Sequence, residues 1–241
     1  MGSKREASTV GDKGMRIDMT EHRPTHASGG APSRPPLPNV RPIGPDECHE
    51  AVEVLVRSFF DFSMNRYLFP DAKKRAWKLR FLYLRMVTMY RGVGGAFITG
   101  DGSGVALWAP PQYWRGVGAW RCVRAGLLLV PFYFCWELPL RRINAVRDIE
   151  RRHHSEIRGP HWSLELIGVD PERQRTGSGG ALIRHVLDQA DQQELPSYVI
   201  THDDRNVAYY ERFGFHLIGD APFEAGAPPT CSLLRPVSAK T

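Results

Sequence analysis

Two stretches in the first half of the chain show the period of an amphipathic helix. Apolar residues recur every three or four positions in residues 45–59 and again in residues 73–90, and this spacing places them on one side of a helix. A strand-like run at residues 40–43 precedes both helices. The second helix is expected to bury one stripe, made of Trp77, Phe81, Leu84, Val87 and Tyr90.

A β-hairpin follows in the pattern. Residues 95–99 and 105–108 are apolar runs of strand length, and Gly100, Asp101 and Gly102 lie between them. Because an Asp-Gly pair supplies the positive φ angle of a tight turn, the two runs are expected to pair antiparallel.

A long helical segment is predicted next. Residues 113–157 keep the helical period, but Pro131 and Pro139 interrupt it, since proline lacks an amide donor and its ring clashes with the preceding turn. We interpret residues 112–160 as a helical insertion. Its aromatic residues are expected to line a substrate pocket; they are Trp114, Trp120, Phe132, Tyr133, Phe134 and Trp136.

From residue 161 onward, strands and helices alternate, which indicates α/β architecture. The predicted order is strand, glycine-rich turn, helix, strand, helix, strand, at residues 162–169, 174–180, 181–193, 197–201, 207–213 and 215–218. The first of these helices should pack against the sheet, with its N-terminus at the turn. Its apolar stripe consists of Leu182, Ile183, Val186, Leu187 and Ala190.

The first 39 residues differ in composition from the rest. They combine Gly, Ser, Pro and scattered charges and show no apolar period, which is typical of a segment that cannot bury enough surface to fold. We expect a disordered tail at residues 1–39 and one domain at residues 40–241. The tail has neither the apolar core of a secretory signal nor an acid-poor composition, so a cytoplasmic location is expected.

Composition also disfavours several classes of site. The most lipid-like run, residues 125–136, holds only 12 residues and a proline, whereas a membrane helix needs about 20. The four cysteines show neither metal-ligand spacing nor the density of a disulfide scaffold. His153 and His154 are expected to be a solvated helix end. The sequence therefore predicts no membrane association and no metal.

Most of the net charge of +6 lies in the predicted insertion, which holds nine Arg against four acidic residues. Such a segment can attract an anionic partner, but a solvated surface is the expected interpretation. A nucleic-acid binder is the weakest alternative, because the aromatic-basic interleaving typical of one is missing. We expect no nucleic-acid partner.

The glycine-rich turn is a candidate anion site. Residues 174–180 read Gln-Arg-Thr-Gly-Ser-Gly-Gly and lie between a predicted strand and a predicted helix. Glycines let backbone amides approach an anion closely, and the helix dipole adds positive potential. The turn is therefore expected to cradle a pyrophosphate.

Two motifs in this region resemble signatures of the GNAT superfamily of acetyltransferases. Residues 169–179 read Val-Asp-Pro-x-x-Gln-x-x-Gly-x-Gly, which is similar to the acetyl-CoA loop of that superfamily. Residues 206–215 read Asn-Val-Ala-Tyr-Tyr-Glu-Arg-Phe-Gly-Phe and resemble its second signature. Residues 162–236 are also similar to the puromycin N-acetyltransferases. Arg175 departs from the pattern, because many relatives have glycine there.

The resemblance implies an α/β fold of GNAT type, with a mixed, mostly antiparallel central sheet flanked by helices and the insertion placed before the cofactor-binding strand. It implies acetyl-CoA as the acyl-donor cosubstrate. Asn206 is expected both to contact acetyl-CoA and to cap the helix that follows. The residues implied in binding acetyl-CoA are Ile167, Gly168, Val169, Gln174, Arg175, Thr176, Gly177, Ser178, Gly179, Gly180 and Asn206.

The resemblance further implies direct transfer, in which an amine attacks the thioester and a backbone amide near Val169 stabilises the oxyanion. The departing thiolate then needs a proton. A phenol with a pKa of about 10 is suited to donate it, and Tyr210 is the expected acid. Tyr209 is the alternative, because the helical period does not separate neighbouring residues.

The attacking amine must also lose a proton. Strand alternation places His161, Ser163 and Glu165 on one face, near the expected position of the acetyl group. Glu165 is the first candidate base and His161 the second, and a water relay would replace either.

The expected function is N-acetylation of a primary amine on a small molecule, antibiotic-like or a natural product, by a monomer or homodimer. Two alternatives stay open: a noncatalytic regulatory module that binds acetyl-CoA, and an acetyltransferase of protein amino groups. Release of free thiol in the presence of candidate amines separates an enzyme from a module.

Overall fold

The computed structural model describes residues 38–116, 123, 126, 140–220 and 228–237, with side chains omitted for residues 140–146. These residues fall within one compact unit, Pro36–Thr241. Most of the predicted tail and much of the predicted insertion lie outside the described residues.

The first half begins with a strand and three helices. Residue bounds are β1 (Val40–Pro42), α1 (Cys48–Phe59), α2 (Ser63–Leu68) and α3 (Ala72–Gly92), with a 3-10 turn at Pro45–Glu47 before α1. The sequence pattern predicted β1, α1 and α3, but it did not predict α2.

The stripe predicted for α3 was wrong at its N-terminal end. Trp77 is 42% exposed, while Arg75 and Leu79 are buried. Apolar residues are spread around this helix, so more than one stripe fits the period, and contact with α1 selects which face is buried. The Arg75 guanidinium is satisfied by carbonyls of the preceding loop, including those of Phe69 at 2.8 Å and Pro70 at 3.1 Å.

The described strands form a seven-stranded sheet in the order β1-β2-β3-β4-β5-β7-β6. The further strands are β2 (Ala96–Thr99), β3 (Gly104–Ala109), β4 (Trp162–Val169), β5 (Ser197–Thr201), β6 (His216–Gly219) and β7 (Cys231–Arg235). All neighbours are antiparallel except β4 and β5, which are parallel. The predicted hairpin and the predicted mostly antiparallel sheet are confirmed.

Helices cover both faces of this sheet. The remaining ones are α4 (Leu140–Glu156), α5 (Ser178–Gln192) and α6 (Val207–Glu211). Strand β3 alternates between the two cores, because Val105 and Leu107 pack with α1 and α3 while Ala106 and Trp108 pack with α5. The predicted stripe of α5 is buried throughout. Helix α5 begins three residues before its predicted start, and α6 ends two before its predicted end.

Strands β4 and β5 separate part-way along their length. They pair only from Trp162–Ser197 to Leu164–Val199, although β4 continues to Val169. On the other side of β4, Leu107 pairs with Leu166 and Trp108 with Leu164. Glu165 is therefore the extra residue of a β-bulge, a feature that bends a strand and re-aims its side chains. The bulge lies where the two strands part.

Candidate active site

A cavity of about 270 Å³ occupies the opening between β4 and β5. The loop after α1 and helices α2 and α3 form one side, and α4 and α6 contribute further residues. The predicted insertion thus contributes to the cavity through Ile149, Glu150 and His153 of α4. Trp114 is not among the described lining residues, and the other aromatic residues predicted to line a pocket lie outside the described residues.

Glu165 lines this cavity at the bulge of β4. Burial raises the pKa of its carboxyl from 4.5 to about 7, and the charge of Glu150 acts in the same direction. The hydroxyls of Ser163 and Tyr90 hydrogen-bond to this carboxyl and partly offset the rise. Ser163 also lines the cavity, as strand alternation predicted. A carboxyl with a pKa near neutrality is suited to accept a proton at physiological pH.

His161 does not line the cavity. It is 1% exposed, its Nδ1 lies 2.7 Å from the Gly159 carbonyl oxygen, and its Nε2 lies 2.8 Å from Nε2 of His153. Because a carbonyl only accepts, Nδ1 of His161 carries the proton, and Nε2 of His153 must donate to Nε2 of His161. This geometry leaves His161 without access to a bound amine.

The expectation that His153 is solvated was wrong. Its ring stacks on Tyr198, with centroids 4.5 Å apart and planes 5° apart, and it lines the cavity. Burial, followed by repulsion from His161 and His154, lowers the pKa of His153 to about 4. One partner, His161, lies just before β4 and the other, Tyr198, lies on β5. The helical pattern around His153 therefore gave no indication of this contact. The side chain of His154 is 46% exposed, as predicted.

The side chains of the neighbouring residues Tyr209 and Tyr210 lie in different places. Tyr210 is 5% exposed and lines the cavity, and burial raises the pKa of its phenol, so that it keeps its proton. The Tyr209 hydroxyl instead lies on the first turn of α5, only 2.7 Å from where a Cβ on Gly179 would sit. Of these two neighbours, Tyr210 is therefore the one that lies at the cavity.

The glycine-rich turn has the geometry of a helix-start anion site. Gly177, with φ of 95°, precedes the first residue of α5, and no side chain caps this end. The first amides of a helix have no partner within it and point outward. Arg175 adopts φ of 67°, a conformation that glycine adopts most readily.

Hydroxyl groups hold the turn against the β2–β3 hairpin. Oγ of Ser178 lies 3.1 Å from Oγ of Ser103 and 2.9 Å from Oγ1 of Thr176. Thr176 in turn donates to the Arg173 carbonyl at 2.8 Å. These contacts connect the turn to Ser103 of the hairpin.

Residues 134–215 match the acetyltransferase (GNAT) family. The part of the chain that matches is a GNAT acetyltransferase domain, and the protein is an acyltransferase. Over 175 residues it is 27% identical to an uncharacterized N-acetyltransferase of Schizosaccharomyces pombe, and this similarity spans 69% of each chain.

Two solved structures share the fold of this GNAT domain. A histone acetyltransferase HPA2 and related acetyltransferase from Corynebacterium glutamicum is 22% identical with a TM-score of 0.62, covering 85% of this chain and 99% of that one. PH1933 from Pyrococcus horikoshii is 11% identical with a TM-score of 0.52, covering 83% and 99%. At these identities the likeness concerns the fold.

The other residues predicted to bind acetyl-CoA continue along β4 of the GNAT domain. Ile167 lines the cavity. Gly168 faces α1, where an added Cβ would lie 3.0 Å from Cβ of Ser58, so close packing requires a glycine there. The Val169 carbonyl accepts from Oγ of Ser58 at 2.9 Å and from Nε2 of Gln174 at 3.5 Å.

Asn206 lines the cavity but does not cap α6. Its Nδ2 donates to Oγ1 of Thr201 at 3.1 Å. The backbone at Asn206 is already helical, because a 3-10 turn leads into α6, whereas a capping residue normally has an extended backbone. The capping expectation was therefore wrong.

The described part of the chain lacks two further features. No helix there is long and apolar enough to cross a membrane. Nor do those residues include a group of three metal-ligating side chains positioned to hold an ion.

Proposed function

We propose that the protein transfers the acetyl group of acetyl-CoA to a primary amine of a small molecule. One observation carries the proposal: the cavity where β4 and β5 part contains both Glu165 and Tyr210, while β4 leads directly into the turn at Gly177. A proton acceptor, a proton donor and an anion site thus lie along one path.

Acetyl-CoA supplies the acetyl group as a thioester. The first-turn amides of α5 at Ser178 and Gly179 would hold the pyrophosphate, since they face outward at the positive end of the helix dipole. The stretch of β4 from Glu165 to Val169 has no pairing with β5. Its strand edge is therefore available to hydrogen-bond the amide groups of the pantetheine arm.

Residues of the cavity would then accept and donate the protons of the reaction. Glu165 would take a proton from the acceptor ammonium, which leaves a neutral amine to attack the thioester carbonyl. A C–N bond forms and the C–S bond breaks. Tyr210 would donate its proton to the departing thiolate, and burial keeps that phenol protonated until transfer.

A small acceptor is favoured by the volume of the site. A cavity of about 270 Å³ lies just below the usual range for small-molecule sites, which is about 300 to 1,000 Å³.

The test is the release of free thiol from acetyl-CoA in the presence of a panel of small amines and a lysine-containing peptide. We expect turnover with at least one small amine, and kcat/KM rising with pH through about 7, because Glu165 must be deprotonated to act. Glu165→Gln should remove this acid limb and lower kcat by about 10² to 10⁴. Binding of acetyl-CoA without thiol release from any amine would instead indicate a noncatalytic module.

A further inference from the structure

The walls of the cavity carry negative charge. Among the described lining residues are two carboxylates, Glu150 and Glu165, and no lysine or arginine. The two histidines of the lining, His153 and His202, are neutral at physiological pH because burial lowers the pKa of each to about 4. No described group in the lining therefore balances the carboxylates.

The two carboxylates lie at different depths. Glu165 sits at the bulge of β4, where acetyl transfer is proposed. Glu150 lies on α4 with its side chain 67% exposed, so it marks the mouth of the cavity. Its ion-pair contact within the described residues is a long one, 4.0 Å to Nε2 of His154. The charge of Glu150 nevertheless raises the pKa of Glu165.

Aromatic rings form much of the remaining lining. Phe59, Phe62, Tyr83 and Tyr198 all contribute. Such rings pack against methylene groups and attract cations through their faces. An extended alkyl chain with a positive charge at each end would suit both the aromatic rings and the two carboxylates.

We propose that the acceptor is an amine with a second positive charge, whose reacting end lies at Glu165 and whose distal cation lies at Glu150. This inference rests on the proposed function and names the substrate class. An acceptor with a distal carboxylate is disfavoured, because it would place like charges together at the mouth.

Three acceptors of equal length provide the test: 1,4-diaminobutane, pentylamine and 5-aminopentanoate, whose distal groups are ammonium, methyl and carboxylate. Thiol release gives kcat/KM, and calorimetry in the presence of CoA gives Kd independently of turnover. After a factor of two for its equivalent ends, the diamine should exceed pentylamine by about 2- to 5-fold, as a partly exposed ion pair allows. The aminopentanoate should be the poorest, and added salt should reduce the differences.

Glu150→Gln should remove most of the preference for the diamine over pentylamine. Asp148→Asn is the matched control: it removes the same charge from the same helix, but Asp148 pairs with Arg151 and is not among the described lining residues. In this control the preference should persist. Equal binding of the three compounds, or a preference that survives Glu150→Gln, would overturn the inference. If Kd follows the expected order without any thiol release, the charge preference stands and acetyl transfer is what fails.

Discussion

Replacing His153 by Phe should flatten the acid dependence of the stability of the fold. The phenyl ring can keep the stack on Tyr198, which has centroids 4.5 Å apart. It removes the 2.8 Å contact to His161 and the group that would titrate. Two imidazoles at this distance share one proton, so protonating the second breaks the contact.

The magnitude follows from the shift in pKa. His153 titrates near 6.5 when unfolded and at about 4 when folded. The unfolded chain therefore binds the proton more readily, and stability is lost as the pH falls from 6.5 towards 4. Between pH 7.5 and 5 the full shift corresponds to about 2 kcal/mol. Because part of the ring remains exposed, about 1 to 2 kcal/mol is the expected loss.

Urea denaturation at pH 7.5 and pH 5.0 measures this directly. The free energy of unfolding of the wild type should fall by about 1 to 2 kcal/mol more than that of His153→Phe. Titrating groups that do not contact His153, such as His202, cancel in the difference. His154→Phe is the control, since it leaves the contact between His153 and His161 in place. It should keep most of the pH dependence of the wild type, because repulsion from His154 is a smaller cause of the shift than burial. Identical pH dependence in the wild type and His153→Phe would refute the reasoning.

Three further predictions concern catalysis, cofactor binding and the tail. Tyr210→Phe should lower kcat by about 10² to 10⁴ with little change in acetyl-CoA affinity, since only the proton donor is lost. If Tyr210→Phe turns over normally and Tyr209→Phe turns over slowly, Tyr209 is the proton donor. Gly177→Val should weaken acetyl-CoA binding by about tenfold or more in calorimetry while circular dichroism stays native, because a β-branched residue is strained at φ of 95°. Unchanged affinity would contradict the proposed anion site. Deletion of residues 1–38 should leave the melting temperature and turnover nearly unchanged, and a large loss of either would show that the tail contributes to the domain.

Local sequence patterns determined the strands and the helix around the glycine-rich turn. Strands β4 and β5 have the bounds that the sequence predicted, residues 162–169 and 197–201, because apolar runs bounded by turn residues depend only on neighbouring positions. The buried stripe of α5 was likewise readable from its period. The glycine-rich turn was recognised because the positive φ of Gly177 is a local requirement.

Tertiary contacts decided the features that give the site its chemistry. The bulge at Glu165 exists only because β3 pairs across it in shifted register, and nothing in the sequence of β4 marks it. Tyr209 and Tyr210 are adjacent and chemically alike, but the Tyr209 hydroxyl lies on α5 whereas Tyr210 lines the cavity. His153 is buried because β4 and β5 bring His161 and Tyr198 against it. A helical period records which side of a helix is apolar, whereas the partners that meet that side come from distant parts of the chain.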